Sequence, residues 1–260
     1  MPRVRLTLEY DGTDFVGWQR QPNGRSVQEV LEKALKELLG ATVTAAAAGR
    51  TDAGVHALGQ VVAFDAPRSL PGRAYVRGLS SLLPQDVAVV AADEVSEGFD
   101  PRRWATGKRY RYLISHRPGR APLLRRTHWE LFTPLDVGAM RVAAPALLGT
   151  HDFTSFRAAD CEAPHARRTL RELELLPVGD VLRIDVEGTA FLKHMVRNIV
   201  GSLVEIGRGR RSPDWLVEVL EARDRTRAGP TAPAHGLTLV AVSYGPGPRA
   251  GSAADPGRRS

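Results

Sequence analysis

The 260-residue chain sets 36 Lys and Arg against 29 Asp and Glu, a net charge of +7, with 43% hydrophobic and 25% charged residues. That balance is globular, in a chain long enough for one large or two small domains, and no apolar run reaches the roughly 18 residues of a membrane span. A single cysteine, Cys161, excludes an internal disulfide framework and an all-cysteine zinc site, so the expected address is the reducing cytoplasm.

At the start, Val4, Leu6, Leu8 and Tyr10 alternate with polar residues, so residues 3–10 read as a half-buried strand rather than a secretion signal. Asp11-Gly12 turns the chain. Ser26-Val27-Gln28-Glu29 is a capping box and Gly40 a stop. Val27, Val30, Leu31, Ala34, Leu35, Leu38 and Leu39 keep helical spacing between them. Residues 60–65 and 87–91 read as strands, and 72–82 as a helix closed by Pro84. A strand at 108–115 puts Tyr110, Tyr112 and Ile114 on one face and Arg109, Arg111 and Leu113 on the other. A helix is expected at 136–148. A hairpin is expected at 169–176 and 181–187, around Pro177-Val178-Gly179-Asp180. Residues 191–206 read as a very apolar helix, and Ser212-Pro213-Asp214 as the start of another. Leu237–Tyr244 closes as a strand, and the Gly- and Pro-rich residues after it are expected to be disordered. Strands and helices mix without strict β-α-β order or a Gly-rich phosphate loop, so the fold class is α+β. The expected division is an N-terminal half at 1–104, a C-terminal half at 105–245 and a tail at 246–260, with a cleft between the halves.

The positive charge suits a polyanionic partner. It is accounted for equally well by an Arg-, Ala-, Gly- and Pro-rich composition, since 32 of the 36 basic residues are Arg.

Three stretches could carry chemistry. Gly49-Arg50-Thr51-Asp52-Ala53-Gly54-Val55-His56 gathers a guanidinium, a hydroxyl, a carboxylate and an imidazole between two apolar runs. As bare pattern, Asp52-Ala53-Gly54 is better read as a turn with Arg50 as a surface ion-pair partner. Lys108-Arg109-Tyr110-Arg111-Tyr112 interleaves cations and aromatics. A single RNA strand could use both, and an ordinary half-buried strand has the same pattern. Phe191-Leu192-Lys193-His194-Met195-Val196-Arg197-Asn198 places Arg197 in an apolar helix, where it needs an anion or must reach the surface. Cys161 lies near Asp160 and His165 without metal-ligand spacing and reads as structural.

Together GRTDAGVHALGQV, KRYRY, GTHDFTSF, FLKHMVRNIVGSL and LEYDGTDFVGWQRQ resemble the tRNA pseudouridine synthase A family, in order, over residues 3–244. The resemblance implies the pseudouridine synthase fold: a mixed, mainly antiparallel central sheet flanked by helices, in two similar α+β halves with a basic cleft. It implies isomerisation of uridine to pseudouridine at positions 38, 39 and 40 of the tRNA anticodon stem-loop, by a homodimer using no metal or organic cofactor. Asp52 matches the family's essential aspartate and Arg197 the arginine that pairs with it. Tyr110 matches the tyrosine that packs on the target base. Arg50, Arg109, Arg111 and His56 are candidates for substrate binding. The sequence departs from the family at Ser80, usually Asn, and at Asp100-Pro101-Arg102-Arg103-Trp104, usually beginning His-Ala-Arg. A tRNA-binding protein without catalysis is the alternative, and a carboxylate facing RNA phosphates argues against it.

Overall fold

Alternation at the start of the chain yields β1 (Arg3–Tyr10), whose Val4, Leu6, Leu8 and Tyr10 are all buried. The structure is a computed structural model and describes residues 1–245, so the expectation for 246–260 lies outside the described residues. Helix α1 (Val27–Leu39) forms as its caps dictate. The Ser26 side chain accepts the Glu29 N–H, and Gly40 ends the helix at φ 72. A two-residue strand, β2 (Ala46–Ala47), precedes β3 (His56–Asp65). Then follow α2 (Gly72–Leu82), β4 (Val87–Val95), β5 (Ala105–Ser115) and the short β6 (Trp129–Glu130). The remaining elements are α3 (Val137–Ala143), β7 (Gly149–Asp152), β8 (Arg167–Val178), β9 (Val181–Gly188), α4 (Met195–Gly207), α5 (Trp215–Ala222) and β10 (Leu237–Tyr244).

Ten strands make one sheet in the order β4-β1-β3-β10-β5-β9-β8-β7, with β2 on β3 and β6 on β5. Pairing is antiparallel except for β10 on β3 and β6 on β5. The fold is therefore α+β with a mixed, mainly antiparallel sheet, as the sequence and the resemblance both implied. β10 lies between β3 and β5, so the last described strand links the early strands β1, β3 and β4 to the later strands β5, β7, β8 and β9 within the one sheet.

Register carries one apolar face across that seam. Leu8 opposes Gln60, Leu239 opposes Tyr110, Tyr110 opposes Val186, and Val186 opposes Leu173. On this face α2 sets Tyr75 edge-on to Phe64, with ring centroids 6.0 Å apart.

Three helix boundaries differ from the sequence reading. The helix expected at 136–148 stops at Ala143 and tightens into a 3₁₀ turn over Ala144–Leu147, because Pro145 has no N–H to continue the ladder. The helix expected at 191–206 begins only at Met195, because His194 adopts φ 61. Helix α5 starts at Trp215, whose N–H bonds the Ser212 carbonyl, and no side chain caps it. The strands β3, β4 and β5 run longer than their apolar patterns; β3 and β5 are paired on both sides, and β4, at the sheet edge, is held along its whole length by β1. Among the described residues no helix is long and apolar enough to cross a membrane.

Candidate active site

The segment between β2 and β3 holds Asp52, and its backbone is fixed from two directions. Gly17 bridges Asp52 in antiparallel fashion, and the Trp18 N–H donates to the Thr51 carbonyl at 3.0 Å. Gly17 has φ 109, and a Cβ there would lie 2.6 Å from that same carbonyl, so only glycine fits. From below, the Tyr10 hydroxyl meets Thr51 Oγ1 at 2.8 Å, and Gln60 Nε2 donates to the Gly49 carbonyl at 2.8 Å. The turn is thus tied to β1 and β3, and the Asp52 side chain stays about a quarter exposed at 26%.

The first turn of α4 supplies the partners. Arg197 Nη1 lies 3.3 Å from Asp52 Oδ2, across 145 positions of sequence. Arg197 Nε donates to the Ala232 carbonyl at 2.8 Å, and the Ala232 N–H returns to the Arg197 carbonyl at 3.1 Å. The guanidinium is therefore aimed by the segment before β10. That segment lies close because Gly201 has no side chain; a Cβ there would sit 1.7 Å from the Pro230 carbonyl oxygen. His194 Nε2 approaches the same Asp52 Oδ2 at 3.4 Å. Its left-handed backbone costs on the order of 1–2 kcal/mol for a non-glycine residue, strain of the kind that collects at functional sites. Burial pushes the His194 pKa down, opposed by the Asp52 charge and reinforced by Arg197 and Lys193. Among the described residues no donor binds Asp52 Oδ1.

Tyr110 lies on the same sheet face. It is 8% exposed, with its ring edge-on to Phe191 at 5.0 Å and 82°. Burial raises its pKa, and the nearby Tyr10 and Asp52 charges raise it further, so the phenol is neutral. Burial likewise lifts Tyr10 to about 12. A carboxylate, a guanidinium and an imidazole thus meet on the sheet face that carries the Tyr110 ring. Among the described residues, no group of three or more His, Cys, Asp or Glu is arranged to hold a metal.

A family model described as tRNA pseudouridine synthase matches residues 7–102 and 143–245. The tRNA pseudouridine synthase A of Myxococcus xanthus is 63% identical over 251 residues, covering 96% of this chain and 95% of that one. The enzyme of the same name from Geobacter sulfurreducens is 49% identical over 244 residues, covering 94% of this chain and 100% of that one. That of Paramagnetospirillum magneticum is 51% identical over 247 residues, with 94% and 96% covered.

The chain belongs to the tRNA pseudouridine synthase family. Members of this family are isomerases, and this chain is an enzyme of that class.

Not every residue singled out in the sequence meets Asp52 in this synthase. Arg109 and Arg111 lie on the opposite sheet face, engaged with carboxylates. Arg109 Nη2 is 2.8 Å from Glu172 and its Nε 3.2 Å from Glu187; Arg111 Nε is 2.8 Å from the buried Asp185. His56 is buried. Its Nδ1 accepts the Gly12 N–H at 3.0 Å, and its Nε2 reaches the carbonyls of Arg126 at 2.8 Å and His235 at 3.1 Å. It ties the loop after β1 to two later segments. Arg50 extends into solvent, 3.9 Å from Glu162. Ser80 turns its hydroxyl back to the Val76 carbonyl. Sequence reasoning quoted His194 only as part of a helix. Nothing in an apolar run signals a left-handed residue, although His194 stands three positions before Arg197.

Proposed function

We propose that this synthase converts uridine to pseudouridine at positions 38, 39 and 40 of the tRNA anticodon stem-loop, with Asp52 as the essential carboxylate. The observation that carries the reading is the Asp52–Arg197 pair at 3.3 Å beside the buried Tyr110. In the reaction the N1–C1′ bond of uridine breaks, the base turns over, and C5 bonds to C1′. A proton leaves C5 and one is gained at N1, so atoms and electrons balance without an oxidant or reductant. Positive charge builds on the ribose as the glycosidic bond opens, and a carboxylate at that point stabilises it. Arg197 holds Asp52 in place, and Tyr110 supplies a ring for the base once it leaves its stack. The two halves, 1–104 and 105–245, share the work. Asp52 comes from the first, and Tyr110 and Arg197 from the second. The active form is a homodimer in the cytoplasm, as the resemblance implies.

The test uses unmodified tRNA carrying tritium at uridine C5. Release of tritium to water by the protein alone, with pseudouridine mapped to positions 38–40, is expected. Binding without release would leave a tRNA-binding protein, and pseudouridine elsewhere would reject the stem-loop assignment.

A further inference from the structure

The Ala232 carbonyl that aims Arg197 belongs to a stretch, residues 228–233, that forms no helix or strand, so its position depends on what it is bonded to. Rungs to α4 fix it. The Gly229 N–H donates to Ser202 Oγ at 2.9 Å, the Thr231 hydroxyl to Asn198 Oδ1 at 2.7 Å, and the Ala232 N–H to the Arg197 carbonyl at 3.1 Å. The segment climbs as the helix descends, and its last rung is the residue that holds the catalytic guanidinium.

Asn198, fully buried and next to Arg197 in the chain, is where these bonds meet. Its Nδ2 donates to the Phe156 carbonyl at 2.8 Å, which leaves Oδ1 as the acceptor. Oδ1 takes the Thr231 hydroxyl and Arg225 Nη2, the latter at 3.1 Å, and so uses both lone pairs. The same Nη2 donates to Thr231 Oγ1 at 3.0 Å, and Nη1 reaches the Ala228 carbonyl at 3.5 Å. One guanidinium thus clips the segment to the helix at two points. It is itself anchored, because it leaves a single 3₁₀ turn over Arg225–Arg227 whose preceding residue, Asp224, accepts the Thr226 N–H and donates its own N–H to Ser155 Oγ, both at 2.9 Å. Every acceptor around Arg225 is neutral, and among the described residues no carboxylate pairs with it. Burial pushes its pKa down. A guanidinium partly withdrawn from water without an anion is unfavourable, and a closed fold does not require one here. What the planar fork adds is several directed bonds from one rigid group.

We infer that Arg225 and Thr231 are positioning residues for Arg197: together they lock the 228–232 segment onto Asn198, so that the Ala232 carbonyl holds the Arg197 guanidinium against Asp52. The inference rests on the catalytic reading of Asp52 and Arg197 above and deepens it. Neither residue bonds Asp52, and both act through Ala232. Arg197 spends Nε on Ala232 and Nη1 on Asp52, so a shift of the Ala232 carbonyl carries Nη1 away from the carboxylate. A displacement of about 1 Å at a reacting group costs on the order of a hundredfold in rate.

Three variants test the clip: Arg225→Gln, Thr231→Val, which keeps the shape without the hydroxyl, and Thr231→Ser, which keeps the hydroxyl. Tritium release gives kcat and KM on unmodified tRNA, and NMR follows hydrogen exchange of the Arg197 Nε–H. Arg225→Gln and Thr231→Val are expected to lose about tenfold or more in kcat with KM and tRNA affinity near wild type, and to exchange the Nε–H about tenfold faster, the worth of one charged hydrogen bond. Thr231→Ser is expected to recover both readouts. Exchange and kcat equal to wild type in Arg225→Gln and Thr231→Val would overturn the inference, as would equal losses in Thr231→Ser and Thr231→Val. Weakened tRNA binding with kcat unchanged in Arg225→Gln would overturn it too, making Arg225 an RNA contact. If Arg225→Gln does not fold, the two Thr231 variants decide. If wild type releases no tritium, the catalytic reading fails, and exchange at Arg197 still decides the clip.

Discussion

Asp52 has two neighbours on one oxygen and none among the described residues on the other, and this asymmetry sets the expected behaviour of single substitutions. Asp52→Asn keeps the shape and removes the charge, so tritium release should fall below detection while tRNA affinity is largely retained. Retained turnover would move the chemistry to another residue. Arg197 serves Ala232 through Nε and Asp52 through Nη1. Lysine cannot span both, so Arg197→Lys should lose about a hundredfold in kcat, the scale of a small misplacement of a reacting group. A kcat within twofold of wild type would show that position does not depend on the fork. Tyr110→Phe should preserve capture of the target uridine. Tyr110→Ala should weaken it by about 1–3 kcal/mol through the lost stacking surface, read as KM or single-turnover affinity. Equal effects of the two would remove the ring from the account.

Among the elements, α4 depends on the segment that crosses it. Gly201 admits the Pro230 carbonyl, and two positions later in that segment Ala232 orients Arg197. Gly201→Ala is therefore expected to destabilise the fold by about 1–3 kcal/mol, as an overpacked contact does, and to lower activity beyond what the melting curve explains. Full activity at permissive temperature would uncouple the segment from the site. Helix α1 offers a control at the other end of the scale. Ser26→Ala removes a cap worth about 1 kcal/mol and should shift the thermal midpoint without changing kcat.

For the molecule as a whole, pH couples the site to stability. Burial lowers the pKa of His128, His194 and His235. In the unfolded chain these imidazoles return to about 6.5. As pH falls from 6.5 toward the lower folded values, the unfolded chain binds more protons than the native one, so acid favours unfolding. Thermal midpoints should drop between pH 7.5 and 5.5, with proton uptake on unfolding seen in the buffer dependence of the calorimetric enthalpy. A flat midpoint over that range would show that the three histidines are not held neutral. A second loss belongs below about pH 4. There Asp100, held low first by the Arg103 N–H, and Asp152, held low first by the Thr154 hydroxyl, take up protons.

Local chemistry was enough for β1, α1, α2 and β10, because alternation, the Ser26 cap, the Gly40 stop and Pro84 act over a few residues. The resemblance of five motifs named Asp52, Tyr110 and Arg197, and the fold brings these three together. The sequence also placed Tyr110 and Arg109 on opposite faces of one strand, since side chains alternate whatever the partners are. Which face holds the site was not legible there. It follows from β10 pairing with both β3 and β5, and from the Thr51 and Gly49 contacts that seat the Asp52 loop over Tyr10 and Gln60. That choice is why Arg109 and Arg111, candidates for substrate binding in the sequence, lie on the other face among Glu172, Asp185 and Glu187. The left-handed turn at His194 and the meeting of Arg197 with Asp52 across 145 positions were likewise decided only in three dimensions. Periodicity reports a residue's own face, whereas long-range pairing and packing decide what that face meets.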